Sequence, residues 1–148
     1  MEQKENIGRM LGYLHRNSQK YFHKEFSKLG LGGGTHYFLK FLYHHDGVTQ
    51  NELSTKLNFD KAHTTRVIQK LIDMDFIIKE KDAKDHRAFR IYLTQKAKKI
   101  ESDIQKTLDT WSDIITDGFT PVEKKRTMEL LKKMAANIDD YIKTHMAG

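Results

Sequence analysis

The chain has 148 residues, 38% of them hydrophobic, which supplies one core and makes a multi-domain reading unnecessary. Its 26 Lys and Arg against 20 Asp and Glu give a formal net charge of +6, so a polyanion is the first partner to consider and a membrane surface the second. Absence of cysteine excludes disulfides, thiolate metal sites, cysteine nucleophiles and thiol redox sensing. No stretch approaches the roughly 20 apolar residues of a membrane span, and the polar start MEQKENIGRM does not fit a secretory leader, so a cytoplasmic protein that does not enter membranes is expected.

Ile7, Met10, Leu11, Leu14, Tyr21, Phe22, Phe26 and Leu29 recur at helical spacing among polar residues, which predicts an amphipathic helix over residues 3–29. The glycine cluster at 30 and 32–34 ends it, and the dense apolar pattern of 36–45 predicts a second, more buried helix that the Asp46-Gly47 turn closes. Thr49 and Glu52 have capping-box spacing and open a short helix with Leu53 and Leu57 on one face. Asp60 is the expected N-cap of the next helix, whose buried stripe is Val67, Ile68, Leu71 and Met74. Two such short helices in succession make a helix-turn-helix.

Residues 76–81 and 89–93 are rich in Ile, Phe and Tyr and flank the charged turn 82–88, which reads as a β-hairpin, or wing. Thr94 then caps a long helix, with Ala97, Ile100, Ile104, Leu108, Trp111 and Ile115 on its apolar side, that ends near Gly118. A capping box with proline at the first helical position, Thr120-Pro121-Val122-Glu123, opens the last helix.

The fold expected is mainly α with a small β-hairpin: a winged helix-turn-helix lobe over 34–97 inside a single domain, 1–148, with dimerisation helices over 1–30 and 98–148. The terminal helices carry more apolar side chains than the short central lobe can cover. Ile7, Leu11, Leu14, Leu131, Met134, Ile138, Tyr141 and Ile142 are therefore expected to pack against a second copy in a homodimer.

Charge is concentrated on the same central segment. Between Thr49 and Lys99 stand 12 Lys and Arg against 7 Asp and Glu, five of the six net positive charges of the whole chain. Neutralising phosphates with such residues releases condensed counterions, which favours double-stranded DNA as partner. Opposite the buried stripe of the second motif helix lie Lys61, Ala62, His63, Thr65, Arg66, Gln69 and Lys70, short or polar near the N-terminal end, as a helix entering a major groove requires. Lys79 is placed to meet phosphate. In the wing turn Asp85, His86 and Arg87 set a carboxylate two residues before a guanidinium, where a charge-assisted hydrogen bond holds Arg87 ready for a narrow minor groove.

Residues 49–97 resemble the DNA-binding lobe of the multiple antibiotic resistance regulator (MarR) family. The resemblance rests on Glu52-Leu53, Leu57, Asp60-Lys61-Ala62, Thr65-Arg66, Leu71, Asp82, Asp85, Arg87 and Leu93-Thr94, and the flanking helices fit in number and placement. It implies a winged-helix homodimer on a pseudo-palindromic operator near a promoter, usually a repressor released by a small ligand. It also implies an effector crevice between the lobe and the dimerisation helices, for which Tyr13, Arg16, His36, Tyr37, Lys40 and Trp111 are the candidates. The sequence departs from the family at His86, where Arg is usual, and at Asp75 and Ala97, where glycine is usual. Asp75 is expected to take a left-handed backbone conformation.

No cofactor, catalytic group or metal site is expected. Adjacent side chains such as His44 and His45 diverge by about 100° on a helix and do not chelate together. The sequence has no HExxH motif or nucleophile elbow, and Gly32-Gly33-Gly34 lacks the lysine of a P-loop. Two alternatives keep the fold and change what it is used for. One is a winged-helix module that binds protein or RNA, and the other is a regulator that responds to metal through residues distant in sequence.

Overall fold

The computed structural model describes residues 5–146. It contains seven α-helices and one hairpin among those residues, and its contacts divide the chain into two units, residues 1–111 and 112–148.

The first unit opens with helix α1 (Ile7–Ser27), capped by the Asn6 side chain, which accepts the Arg9 N–H at 3.0 Å. Residues 3 and 4 of the expected first helix lie outside the described residues, while Glu5 and Asn6 precede the helix because the cap sits at Asn6. The glycine turn leads into α2 (Thr35–His44), whose Phe38, Leu39 and Leu42 are fully buried at the centre of the core. Around α2 pack α3 (Gln50–Leu57), α4 (Lys61–Asp73) and the second strand of the hairpin. Leu53, Val67, Ile68, Leu71, Phe76, Ile77 and Ile91 complete this core, and each Leu, Ile or Phe buried there contributes roughly 1.5–3 kcal/mol of apolar transfer.

Helix α4 ends at Asp73 with Met74 as its C-cap, and Asp75 adopts the expected left-handed conformation at φ 61°. That turn lets the Phe76 N–H reach the Leu71 carbonyl at 2.9 Å, drops Phe76 into the core and starts strand β1 (Ile77–Lys81). Strand β2 (Phe89–Leu93) pairs with it antiparallel, Ile77 facing Leu93 and Lys81 facing Phe89. The other edge of β2 is covered as well. Gly47 donates to the Ile91 carbonyl at 2.8 Å, and the Ile91 N–H returns to Val48 at 2.9 Å, so the wing is tied to the segment that enters α3. Gly47 has φ 83°, and a side chain there would meet the Tyr92 ring at 3.0 Å, which explains the glycine.

One expectation about the helices is corrected. In place of a single helix from Thr94 to near Gly118, the structure has α5 (Gln95–Lys99) and α6 (Glu101–Ile115), separated at Ile100. The Tyr43 hydroxyl donates to the Ala97 carbonyl at 2.5 Å, and the Ile100 N–H also turns to it at 3.3 Å, so the acceptor that would continue the helix is already engaged. Burial raises the Tyr43 pKa, followed in effect by the charge of Glu101, so the hydroxyl stays a donor.

In the second unit, the end of α6 turns at Gly118 into α7 (Pro121–Tyr141), which has the expected capping box at Thr120 and Glu123, and a π-helical turn (Ile142–Met146) follows. No residue of α7 is buried.

Candidate nucleic-acid interface

Local chemistry fixes α4 at both ends. In the capping box of α3, Thr49 Oγ1 accepts the Glu52 N–H at 3.2 Å and Glu52 Oε2 accepts the Thr49 N–H at 3.0 Å. Asn58, left-handed at φ 55°, closes α3, and the Ser54 hydroxyl donates to the Phe59 carbonyl across the turn at 2.9 Å. Asp60 then caps α4 by accepting the His63 N–H at 2.7 Å. With Thr64, Val67, Ile68 and Leu71 buried, the helix exposes Lys61, Ala62, Thr65, Arg66, Gln69 and Lys70 along one face.

Six of the seven candidate reading residues therefore share an exposed face. His63 is placed differently: it is half-buried, its ring 4.8 Å from Phe59 and 6.2 Å from Phe38. Two exposed side chains are held by neighbours. Thr65 donates its hydroxyl proton to the Lys61 carbonyl at 2.8 Å and accepts the Gln50 amide at 2.9 Å, while the Gln69 amide donates to Asp73 at 2.9 Å. The Arg66 side chain makes no hydrogen bond or ion pair among the described residues.

The wing is organised around Asp82, a residue only 7% exposed. Its N–H donates to the Ala88 carbonyl, and its carboxylate accepts the N–H groups of Lys84 at 2.7 Å and Asp85 at 3.1 Å and the Arg90 Nε–H at 2.5 Å. The two backbone donors, followed by Arg90, hold the Asp82 pKa down to about 2. Arg90 also donates to the Gly47 carbonyl at 2.7 Å and so fastens the wing to the entrance of α3. At the tip, Asp85 accepts the Arg87 N–H at 3.1 Å and faces Arg87 Nε at 3.4 Å, with 92% of the Arg87 side chain exposed. His86 is exposed beside it, and Lys79 lies 4.5 Å over the Phe89 ring on the strands. Lys96, another basic residue near the wing, is engaged by the Met74 carbonyl at 2.6 Å and by the Phe76 ring.

Sequence reasoning missed Arg90 and Gln50, and it noted Asp82 only through the family resemblance. For Asp82 and Arg90 the signal was an Asp opening a turn whose next residues carry free N–H groups, with an Arg on the returning strand, whereas Gln50 is marked by no local pattern because its partner, Thr65, lies on the next helix.

The six candidate effector residues do not share one pocket. His36 and Tyr37 line a cavity of about 230 Å³ between α1 and α2, together with Gln19, Phe22, His23, Phe26 and the glycines at 32–34. His36 stacks 4.3 Å from Phe26, its Nε2 has no hydrogen-bond partner, and burial lowers its pKa to about 4, which keeps the ring neutral. Tyr13 and Arg16 line an open groove along the first half of α1, Lys40 bonds to Gln105, and Trp111 packs on Tyr21 and Phe22.

Of the proposed dimerisation residues, Ile7, Leu11 and Leu14 are exposed on α1. On the second unit Leu131, Ile138 and Tyr141 are exposed, and Met134 and Ile142 are half-buried. Among the described residues no three His, Asp or Glu side chains come together as a metal site, and no helix is long and apolar enough to cross a membrane.

The chain is similar to known regulators over nearly its whole length. The model of the MarR family matches residues 36–89. The HTH-type transcriptional regulator BilQ of Clostridioides difficile (strain CD3) is 30% identical over 132 residues, covering 89% of this chain and 87% of the relative. A MarR transcriptional regulator from Methanosarcina mazei Go1 superposes with a TM-score of 0.86 at 36% identity, over 91% of this chain and 97% of that one. A Listeria monocytogenes protein described as a MarR family transcriptional regulator, crystallised with a 26mer DNA, superposes with a TM-score of 0.85 at 25% identity, over 95% and 96% of the two chains.

Proposed function

The chain belongs to the MarR family of transcription regulators, and on that premise we propose that it is a repressor that binds a pseudo-palindromic operator as a homodimer and is released by a small ligand. The observation that carries the DNA reading is the joint placement of an exposed polar and basic face on α4 and an exposed Arg87 at the tip of a wing held by Asp82 and Arg90. Helix α4 has the length and capping of a major-groove helix, and its Arg66 is free to reach a base edge or a phosphate. Asp85 limits the freedom of Arg87 before docking, so less entropy is lost when it enters a minor groove.

A second copy supplies the remaining cover. The exposed apolar side chains of α1 and of α7 each form a surface that a symmetric partner buries, and the pairing sets two recognition helices roughly 34–36 Å apart for successive major grooves. Ligand control is assigned to the cavity at His36 and Tyr37, where the unpartnered imidazole nitrogen offers a hydrogen bond to a small molecule.

The test is a mobility-shift series on promoter DNA and on random duplex at rising salt. Binding stronger on one promoter sequence, with log affinity falling linearly against log salt, is expected. Equal affinity for all duplexes would remove the regulator reading.

A further inference from the structure

The hydrogen bonds on the exposed face of α4 restrict what Thr65 can offer a ligand. Its single hydroxyl proton is given to the Lys61 carbonyl at 2.8 Å, and one of its lone pairs is filled by the Gln50 amide at 2.9 Å. Thr65 therefore cannot donate to the N7 or O6 of guanine, the N7 of adenine or the O4 of thymine. What it retains is one lone pair, which can only accept from an adenine or cytosine amino group, and its methyl group, its one means of meeting thymine. Ala62, three residues earlier on the same face and also exposed, carries only a methyl. Two neighbouring methyl groups at the start of a helix that is otherwise polar on that face form an apolar step. Among the base edges of a major groove, the only methyl is the thymine 5-methyl, in the place where cytosine has a bare C5–H.

We propose that Ala62 and Thr65 select thymine through its 5-methyl group, and that Gln50, reaching across from the first turn of α3, is the positioning residue that keeps the Thr65 hydroxyl turned away from the bases. The proposal rests on the reading of α4 as a major-groove helix and adds the base chemistry it prefers. Because all three residues lie on the surface or are half-buried, their substitution leaves the core intact.

The experiment uses the full chain and a duplex enriched from a random pool. Each thymine is replaced in turn by deoxyuridine, which removes the methyl and keeps every hydrogen-bonding group. At one or more thymines in each half-site, uridine should weaken binding about fourfold, the size expected for one methyl withdrawn from water. Thr65→Val keeps the methyl and should retain that thymine preference; Thr65→Ser keeps the hydroxyl and should lose it at one of those positions. Gln50→Ala should reduce the preference in the wild-type background and leave it unchanged in Thr65→Val, a pattern that a general loosening of α3 would not produce. Uridine tolerated at every position of a duplex that is still bound selectively would overturn the proposal and leave the DNA reading standing, as would a preference that survives Thr65→Ser and vanishes in Thr65→Val. Failure to enrich any sequence would overturn both.

Discussion

Helices α2 and α7 are both amphipathic in sequence, yet α2 buries five residues and α7 buries none. The difference lies in their surroundings. Helix α2 is contacted by α3, α4 and β2, all within a short stretch of chain, so its Phe38, Leu39 and Leu42 find partners inside one copy. The apolar stripe of α7, with Leu131, Ile138 and Tyr141, stays open to solvent. A helical period states that a face will be covered without stating what covers it. For α2 the answer is the same lobe, and for α7 the proposed answer is a second copy.

The largest expected effect breaks the lobe side of this contrast. Phe38 is fully buried and stacked on Phe59, so Phe38→Ala should cost about 3–5 kcal/mol in urea unfolding and abolish DNA binding with it. Leu131→Glu with Ile138→Glu should instead leave the lobe folded by NMR while sedimentation shows monomers and operator affinity falls at least tenfold, or about 1.4 kcal/mol. A dimeric double variant would refute the role assigned to α7.

Within the lobe, Arg87→Ala should weaken operator binding by about 1–3 kcal/mol with no change in unfolding, since its ion pair with Asp85 is long and exposed. Asp85→Ala should act in the same direction, and the two together should cost less than their sum. Unchanged affinity in both single variants would take the wing tip out of the mechanism. Asp82→Asn should lower affinity differently, by loosening the whole turn, which amide exchange over residues 82–88 would report.

The smallest effects are in pH. The His36 pKa falls from 6.5 to about 4 on folding, so the unfolded chain binds the proton more readily, and the stability tied to the neutral ring is complete above pH 6.5 and lost as pH falls toward 4. His36→Phe should flatten the dependence of unfolding free energy on pH across that window relative to wild type. For Asp82 the pKa is likewise depressed, from 3.8 to about 2, so wing order should persist down to about pH 4 and be lost only as pH drops further.

Much of this fold was legible because its local signals agree. The caps at Thr49, Asp60, Thr94 and Thr120 all form as their sequence patterns predict, and the left-handed Asp75 follows from the need to turn from α4 into β1. The break at Ile100 was not legible, since it depends on the Tyr43 hydroxyl, 54 residues in sequence from the Ala97 carbonyl that it engages. Arg90 was hidden for the same reason: its partners, Asp82 on the turn and Gly47 before α3, come together only once β2 is paired on both edges. Of the interface, the exposed face of α4 could be read from periodicity, but the inward turn of His63 toward Phe59 could not, because it depends on an aromatic neighbour beyond the N-cap.

The central claim, that paired copies read DNA with α4 and the wing, is tested most directly by sedimentation of the full chain with its enriched duplex and with the same duplex cut to one half-site. Two chains on the full duplex, and binding to the half-site about 100-fold weaker, are the predicted result. One chain bound per duplex, as tightly to the half-site as to the whole, would contradict it.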